Sequence, residues 1–290
     1  MFYLLLASFF WGTSFIAGKY AYTMADPSLI VLFRLIIASL ITLPLTWRYL
    51  QQQTSSQTAS ISWKKIAFLG FLTYPVTFLF QFLGLSLTSA SSAATVIGIE
   101  PLIVAISGAI FFKDKLSPSI LLLGVMAFVG VALVVTHDQG GTVSLWGCTL
   151  VFFSTIAVAF WLRLSQQILQ KMDAKVFTAL SIQLGTLVGL PIMLLATQDW
   201  HIHYTAEGMA AILYLGIGCS LVASWCWNKG LGKTSANISG IFLALEPVFG
   251  VLLAVILLGE TLSLTAIIGV VLVISAAGIC ILLPDQSQAV

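Results

Sequence analysis

Charge is what this sequence has least of. Only 8% of its 290 residues are Asp, Glu, Lys or Arg, where soluble domains carry roughly a quarter. With 59% apolar residues and a mean hydropathy of +1.07, that shortage excludes a water-soluble globule. Cysteine is scarce too. Cys148, Cys219, Cys226 and Cys280 all fall in apolar stretches and form no CxxC pair, so neither a disulfide framework nor a thiolate metal site is expected. The sequence has no GxxxxGK loop, no HExxH helix and no Ser-His-Asp order, which argues against ATP-driven work and hydrolysis within the chain. His201 and His203 stand beside Asp199 and Glu207, too few convergent ligands for zinc. The net charge of +2 is spread over loops and makes no stripe for nucleic acid. No cofactor, metal or nucleic-acid partner is expected.

What the chain has is hydrophobic length. A membrane-spanning helix needs about 20 apolar residues, and ten stretches qualify. They are Tyr3–Tyr22, Ser28–Trp47, Ile66–Leu87, Ser92–Phe112, Ser119–Thr136, Leu145–Leu164, Val176–Thr197, Met209–Trp227, Asn237–Leu258 and Leu264–Leu283. Gln51–Ser60 is polar and reads as a loop. The first stretch lacks a basic leader and carries Trp11, Lys19 and Tyr22 where a signal-peptide cleavage site would fall, so it reads as a retained helix. The expectation is an all-α integral membrane protein of ten transmembrane helices. Basic residues give its orientation. Arg48, Lys64, Lys65, Lys113, Lys115, Arg163, Lys171, Lys175, Lys229 and Lys233 fall on one side, Lys19 alone on the other, and Arg34 within a helix. Asp26, Asp138, Asp199, Glu207 and Glu260 lie opposite the basic group. The positive-inside rule then places both termini in the cytoplasm, with the chain in a plasma membrane such as the bacterial inner membrane.

One pattern is written twice. Gly84-Leu85, Ser89-Ala90, Glu100-Pro101, Asp114 and Leu116-Ser117 recur, 146 residues on, as Gly230-Leu231, Ser235-Ala236, Glu246-Pro247, Glu260 and Leu262-Ser263. The first two helices of each half align at an offset of 147, Asp26 with Asp173 and Pro44 with Pro191. The halves are expected at 1–137 and 138–290. Five helices in each is an odd number, so the repeats should lie in opposite directions: two inverted five-helix repeats, the architecture of alternating access.

These residues resemble the drug/metabolite transporter superfamily in its EamA-like branch. The resemblance rests on Trp11-Gly12, Asp26-Pro27, Arg34, Gly84-Leu85, Ser89-Ala90, Glu100-Pro101, Leu116-Ser117 and the second copy ending Gly259-Glu260-Thr261-Leu262-Ser263. It implies ten helices in two inverted bundles and a central cavity lined by the third, fourth, eighth and ninth helices. It also implies movement of amino acids and other small metabolites. Two departures stand out. Lys113-Asp114 replaces the Gly-Glu usual after the fourth helix, and the sixth helix, with Val158-Ala159, lacks the tryptophan step.

Glu100 and Glu246 fall mid-span, where an ionised carboxylate costs roughly 2.5–3.5 kcal/mol on insertion scales. Pro101 and Pro247 follow them, donate no backbone hydrogen bond, and free the carbonyls of Ile97 and Leu243. Two readings stay open: a cavity-facing pair that binds substrate or a coupling proton, or structural acids tying kinked helices to their neighbours. Arg34 offers a planar donor fork to the carboxylate of an amino-acid-like solute, or pairs internally with Asp26. Tyr74 and Gln81, seven apart, share one helical face. Trp11, Trp161, Trp227 and Asn228 complete a candidate lining, with Trp225 and Trp227 also readable as interfacial-belt residues. Ser181, Gly185 and Gly189 form a small-residue stripe suited to close helix packing.

A secondary transporter, exporting small metabolites or drugs by alternating access with proton coupling, accounts for all these features together. A channel or non-transporting scaffold would need neither the mid-membrane acids nor their repetition. An intramembrane enzyme is the weakest alternative, since no histidine and no aspartate lies inside a span. The expected partners are a small solute, the bilayer, protons and, for a homodimer, a second copy of the chain.

Overall fold

The structure, a computed structural model, describes residues 1–54, 62–88, 93, 96–114, 117–135, 144–258 and 263–282. Its regular elements are helices, as apolar chains without partners for an open sheet edge require in lipid. We number them by span. In the first half lie α1 (Phe2–Tyr22), α2 (Pro27–Thr54), α3 (Trp63–Leu87), α4 (Glu100–Phe111) and α5 (Pro118–Val135). The second half holds α6 (Leu145–Leu169), α7 (Ala174–Ala196), α8 (Ala206–Leu231), α9 (Ala236–Leu243 and Leu245–Leu258) and α10 (Leu264–Leu282). Six of them, α2, α3, α6, α7, α8 and α10, are long and apolar enough on their own to cross a membrane.

Ends differ from the hydropathy reading where helix propensity outlasts hydrophobicity. α2 runs to Thr54, seven residues past Trp47, because nothing in Arg48–Gln53 breaks a helix. Residues 51–54 of the expected Gln51–Ser60 loop are therefore helical, and 55–61 lie outside the described residues. Side-chain oxygens set several starts: Ser144 accepts from the Gly147 amide, Asp173 from Lys175 and Thr205 from Gly208.

The packing has two-fold logic. α3 packs on α6 and α7 as α8 packs on α1 and α2, and α4 meets α6 as α9 meets α1. α2 meets α7 and α5 meets α10 across the axis. Helices approach closely at glycines. A Cβ on Gly70 would overlap the Ser181 carbonyl, one on Gly185 the Gly70 carbonyl, and one on Gly189 the Pro75 ring. The small-residue stripe of α7 is thus a packing face for α3. Polar pairs add interhelical bonds, among them the buried Asn228 Nδ2 to Thr178 Oγ1 at 2.8 Å and the half-buried Gln183 Nε2 to Thr42 Oγ1 at 3.0 Å.

Three irregularities shape the interior. α3 widens into a π-helix over Leu72–Phe78, and α8 does the same over Leu215–Val222, at a similar depth in its own repeat. In each, a hydroxyl donates to a carbonyl five residues back: Thr77 to Leu72 and Ser220 to Leu215, both at 2.9 Å. The third is a break. α9 stops at Leu243, turns at Ala244 and restarts at Leu245, while α4 begins at Glu100 after a turn at residues 98–99. The acids therefore stand in the first turn of a helical segment, not in the middle of an unbroken helix as the sequence reading had them. Pro101 and Pro247 explain this, since proline fits a first turn and cannot bond back into a preceding one.

Candidate functional site

The broken segments and the first π-helix, together with α1, α2 and α6, surround a cavity. It holds about 510 Å³ of space free of protein atoms, its open mouth included. Much of that space is narrow, so a solute larger than water enters only as the walls part.

Six of the residues singled out from sequence meet here: Trp11, Arg34, Gln81, Glu100, Trp161 and Glu246. Glu100 and Glu246 are both buried, and Glu100 Oε1 has no hydrogen-bond partner among the described residues. Trp11 is held by its indole N–H, which donates to the Cys219 carbonyl at 2.9 Å. Its ring packs on Trp161 and Trp227, with centroids 6.4 and 5.1 Å away. Trp11 and Trp161 line the cavity, with Trp227 stacked behind them.

Arg34 is fully buried between the two π segments. Its Nε donates to Ser220 Oγ at 2.7 Å, and its guanidinium carbon lies 4.2 Å from the Phe78 ring centroid and 5.1 Å from that of Phe82. Such placement is a cation–π arrangement with one anchoring hydrogen bond. No carboxylate pairs with it among the described residues. The internal partner expected from sequence, Asp26, is engaged elsewhere. Its carboxylate accepts the amides of Ser28, Gln198 and Asp199, fastening the α7–α8 loop onto the α1–α2 turn. In that loop the backbone N–H and ring of His201 hold the Asp199 carboxyl below its ordinary range.

The other expected residues lie elsewhere. Tyr74 is buried against Phe78 and the α7 stripe, where a Gly185 Cβ would come within 3.0 Å of its ring. The π turn accounts for this. Seven residues bring a side chain back to the same face of an α-helix, and the wider turn between Tyr74 and Gln81 destroys that phase. Asn228 ties α8 to α7, and Trp227 is a core residue rather than part of an interfacial belt. Pro101 and Pro247 are buried beside the acids without lining the cavity. Sequence reasoning missed Thr73 and Thr77, which with Gln81 recur every four residues along the cavity wall. That spacing was the available signal. It also missed Ser220, whose link to Arg34 spans 186 residues and has no local signature.

Comparison with known proteins fixes the family. The model of the EamA-like transporter family matches residues 1–136 and 145–282. The chain belongs to the EamA-like transporter family. An Archaeoglobus fulgidus protein described as an uncharacterized transporter is 27% identical over 288 residues, covering 98% of this chain and 97% of the relative. A Haemophilus influenzae protein of the same description is 48% identical over 145 residues, covering 49% of this chain and 85% of the relative. A solved structure, described only as the crystal structure of a protein, matches with a TM-score of 0.77 at 17% identity, over 97% of this chain and 96% of that one. At that identity it shows the fold alone. As an EamA-like transporter the protein is a multi-pass, all-helical membrane protein of ten helices, built from two EamA repeats, and not an enzyme.

Proposed function

We propose that this EamA-like protein is a secondary transporter that exports small metabolites bearing both a carboxylate and an ammonium group, amino acids or close relatives, by alternating access. The observation that carries the reading is Arg34, a buried guanidinium facing a cavity that also holds two acids. Charge bookkeeping favours a zwitterion. Two carboxylates face one guanidinium and the first turns of two helical segments, each worth about +0.5 charge at its N-terminus. The sum is close to zero, so the site suits a solute that is neutral overall with separated charges. Arg34 takes the carboxylate as a bidentate fork. Glu100 and Glu246 take the ammonium, and Trp11 and Trp161 line the apolar remainder.

Two carboxylates in one apolar-walled space repel unless a cation or a proton lies between them. Exchange of substrate ammonium for a proton at that pair is the coupling step we propose. The residue halves 1–137 and 138–290 move against each other, with both termini cytoplasmic as the basic bias supports.

Flux into proteoliposomes, with and without a proton gradient, tests this. Glu100→Gln and Glu246→Gln keep size and hydrogen bonding but remove titration, so both should insert normally and lose gradient-driven flux. Normal flux in both single variants and in the double variant would end the coupling claim and leave the acids structural.

A further inference from the structure

Arg163 is a buried cation that the cavity does not use. It lies two residues past Trp161 on α6, deeper toward the membrane face that holds Met1, since α6 and α1 run in opposite directions. Its guanidinium is gripped from two sides. NH1 donates to Asp114, just beyond the end of α4, while NH2 donates to Asn237 in the first turn of α9 and, at 3.4 Å, to the Val104 carbonyl of α4.

The surroundings are shaped around it. Gly108 leaves room for the guanidinium, which an added Cβ would overlap. Asp114 is aimed by backbone: its amide donates to the Gly108 carbonyl at 3.1 Å, after Lys113 turns the chain at φ 58°. One turn further along α6, Gln166 donates to the Thr234 carbonyl at the entrance to α9. A Gly240 Cβ would stand 3.0 Å from Val104, so α4 and the first segment of α9 are in close contact here. Both segments reach the cavity, α4 at Glu100 and the first segment of α9 at Leu243.

We propose that Arg163 is a positioning residue for transport. It latches α4 to the first segment of α9 and closes the cavity toward the Met1 face, and opening to that face requires its contacts with Asp114 and Asn237 to part. The latch can open because it is not sealed: the Asp114 side chain is 32% exposed, against 9% for Arg163, so water can take over the freed acid. This inference rests on the transporter reading of the cavity but not on what Glu100 and Glu246 do.

Cysteine accessibility tests it. The four native cysteines are replaced by serine or alanine, a single cysteine is placed at Ser14 in the cavity wall, and a membrane-impermeant maleimide is applied from either face. Arg163→Met and Asp114→Asn should each speed labelling from the Met1 face about tenfold, a shift equivalent to about 1.4 kcal/mol, and slow it from the other. Gly108→Ala, which displaces the guanidinium, should act alike, and the swap Arg163→Asp with Asp114→Arg should restore the parent pattern. Unchanged rates would overturn the latch, as would equal increases from both faces, which mark loosened packing. If Arg163→Met fails to accumulate, Arg163→Lys and Asp114→Asn decide; failure of all three to fold makes Arg163 a structural residue and overturns the proposal. Labelling reads access and Glu variants read flux, so the two proposals fail separately.

Discussion

Two arginines are buried in this chain, and they live in opposite circumstances. Arg163 has a carboxylate, an amide oxygen and a carbonyl around it, and is committed to the fold. Arg34 has one serine and the faces of two phenylalanines, and no acid among the described residues. A buried charge is costly unless paired. The committed arginine has met that demand inside the protein. The other has met it only in part, and its remaining capacity faces a cavity. Partnering separates a residue that holds the structure from one that waits for a ligand.

The largest expected effect lies on the waiting arginine. Arg34→Ala should lower flux of a zwitterionic solute at least about thirtyfold, the factor for ~2 kcal/mol of charge-assisted hydrogen bonding. Arg34→Lys, which keeps the charge without the fork, should recover part of it. Proteoliposome uptake at equal protein content measures both. Flux within about twofold of the parent in the alanine variant would make Arg34 another packing residue and erase the contrast.

A stability measurement sharpens the other side. A double-mutant cycle of Arg163→Met with Asp114→Asn, read by thermal unfolding in detergent, should give a coupling of about 1–3 kcal/mol, below that of a fully buried pair because Asp114 is partly solvated. The same cycle on Arg34→Met with Asp26→Asn should give less than about 0.5 kcal/mol, since the two share no partner. Interchanged values would pair Arg34 with Asp26, as the sequence allowed, and release Arg163 from Asp114.

The smallest effect concerns how Asp114 is held. A non-glycine residue in the left-handed region costs about 1–2 kcal/mol and glycine's extra chain entropy offsets about 0.5–1 of that, so Lys113→Gly should gain at most about 1.5 kcal/mol. The same melts would show it as a small rise in midpoint. A fall would assign the Lys113 side chain a stabilising contact of its own.

Much of the fold was legible because hydropathy is additive. Twenty apolar residues announce a span whatever surrounds them, and a repeated Glu-Pro announces two related halves. Where the sequence reading failed, a regular period had been assumed. Tyr74 was placed beside Gln81 by α-helical spacing, and the π turn between them put it on α7 instead. Trp227 was readable as cavity lining or as belt because it stands near a helix end, yet α8 continues to Leu231 and the ring is buried behind the lining. Arg163 was counted by side of the membrane, although a charge within the apolar stretch Leu145–Leu164 was itself a sign of a buried partner. Its partners, 49 and 74 residues away, were beyond any local pattern. The double appearance of acids was visible from sequence, and the proline after each was a signal for a helix start; the break itself was not read, because Leu243-Ala244-Leu245 carries no turn residue.

The paired π-helices have a consequence for how a wall can change its face. A π turn is an α-helix that has absorbed one surplus residue. Handing that residue one step along the helix swivels only the side chains it passes, by about 100° each at 3.6 residues per turn, and leaves both ends where they were. In α3 the contacts of Gly70, Tyr74 and Pro75 with α7 pin the first part of the π segment, so the swivel falls on Thr77 and Phe78. Those side chains border the cavity and the Arg34 guanidinium. The lining can therefore be re-dealt from within the membrane, with the loops at either face standing still.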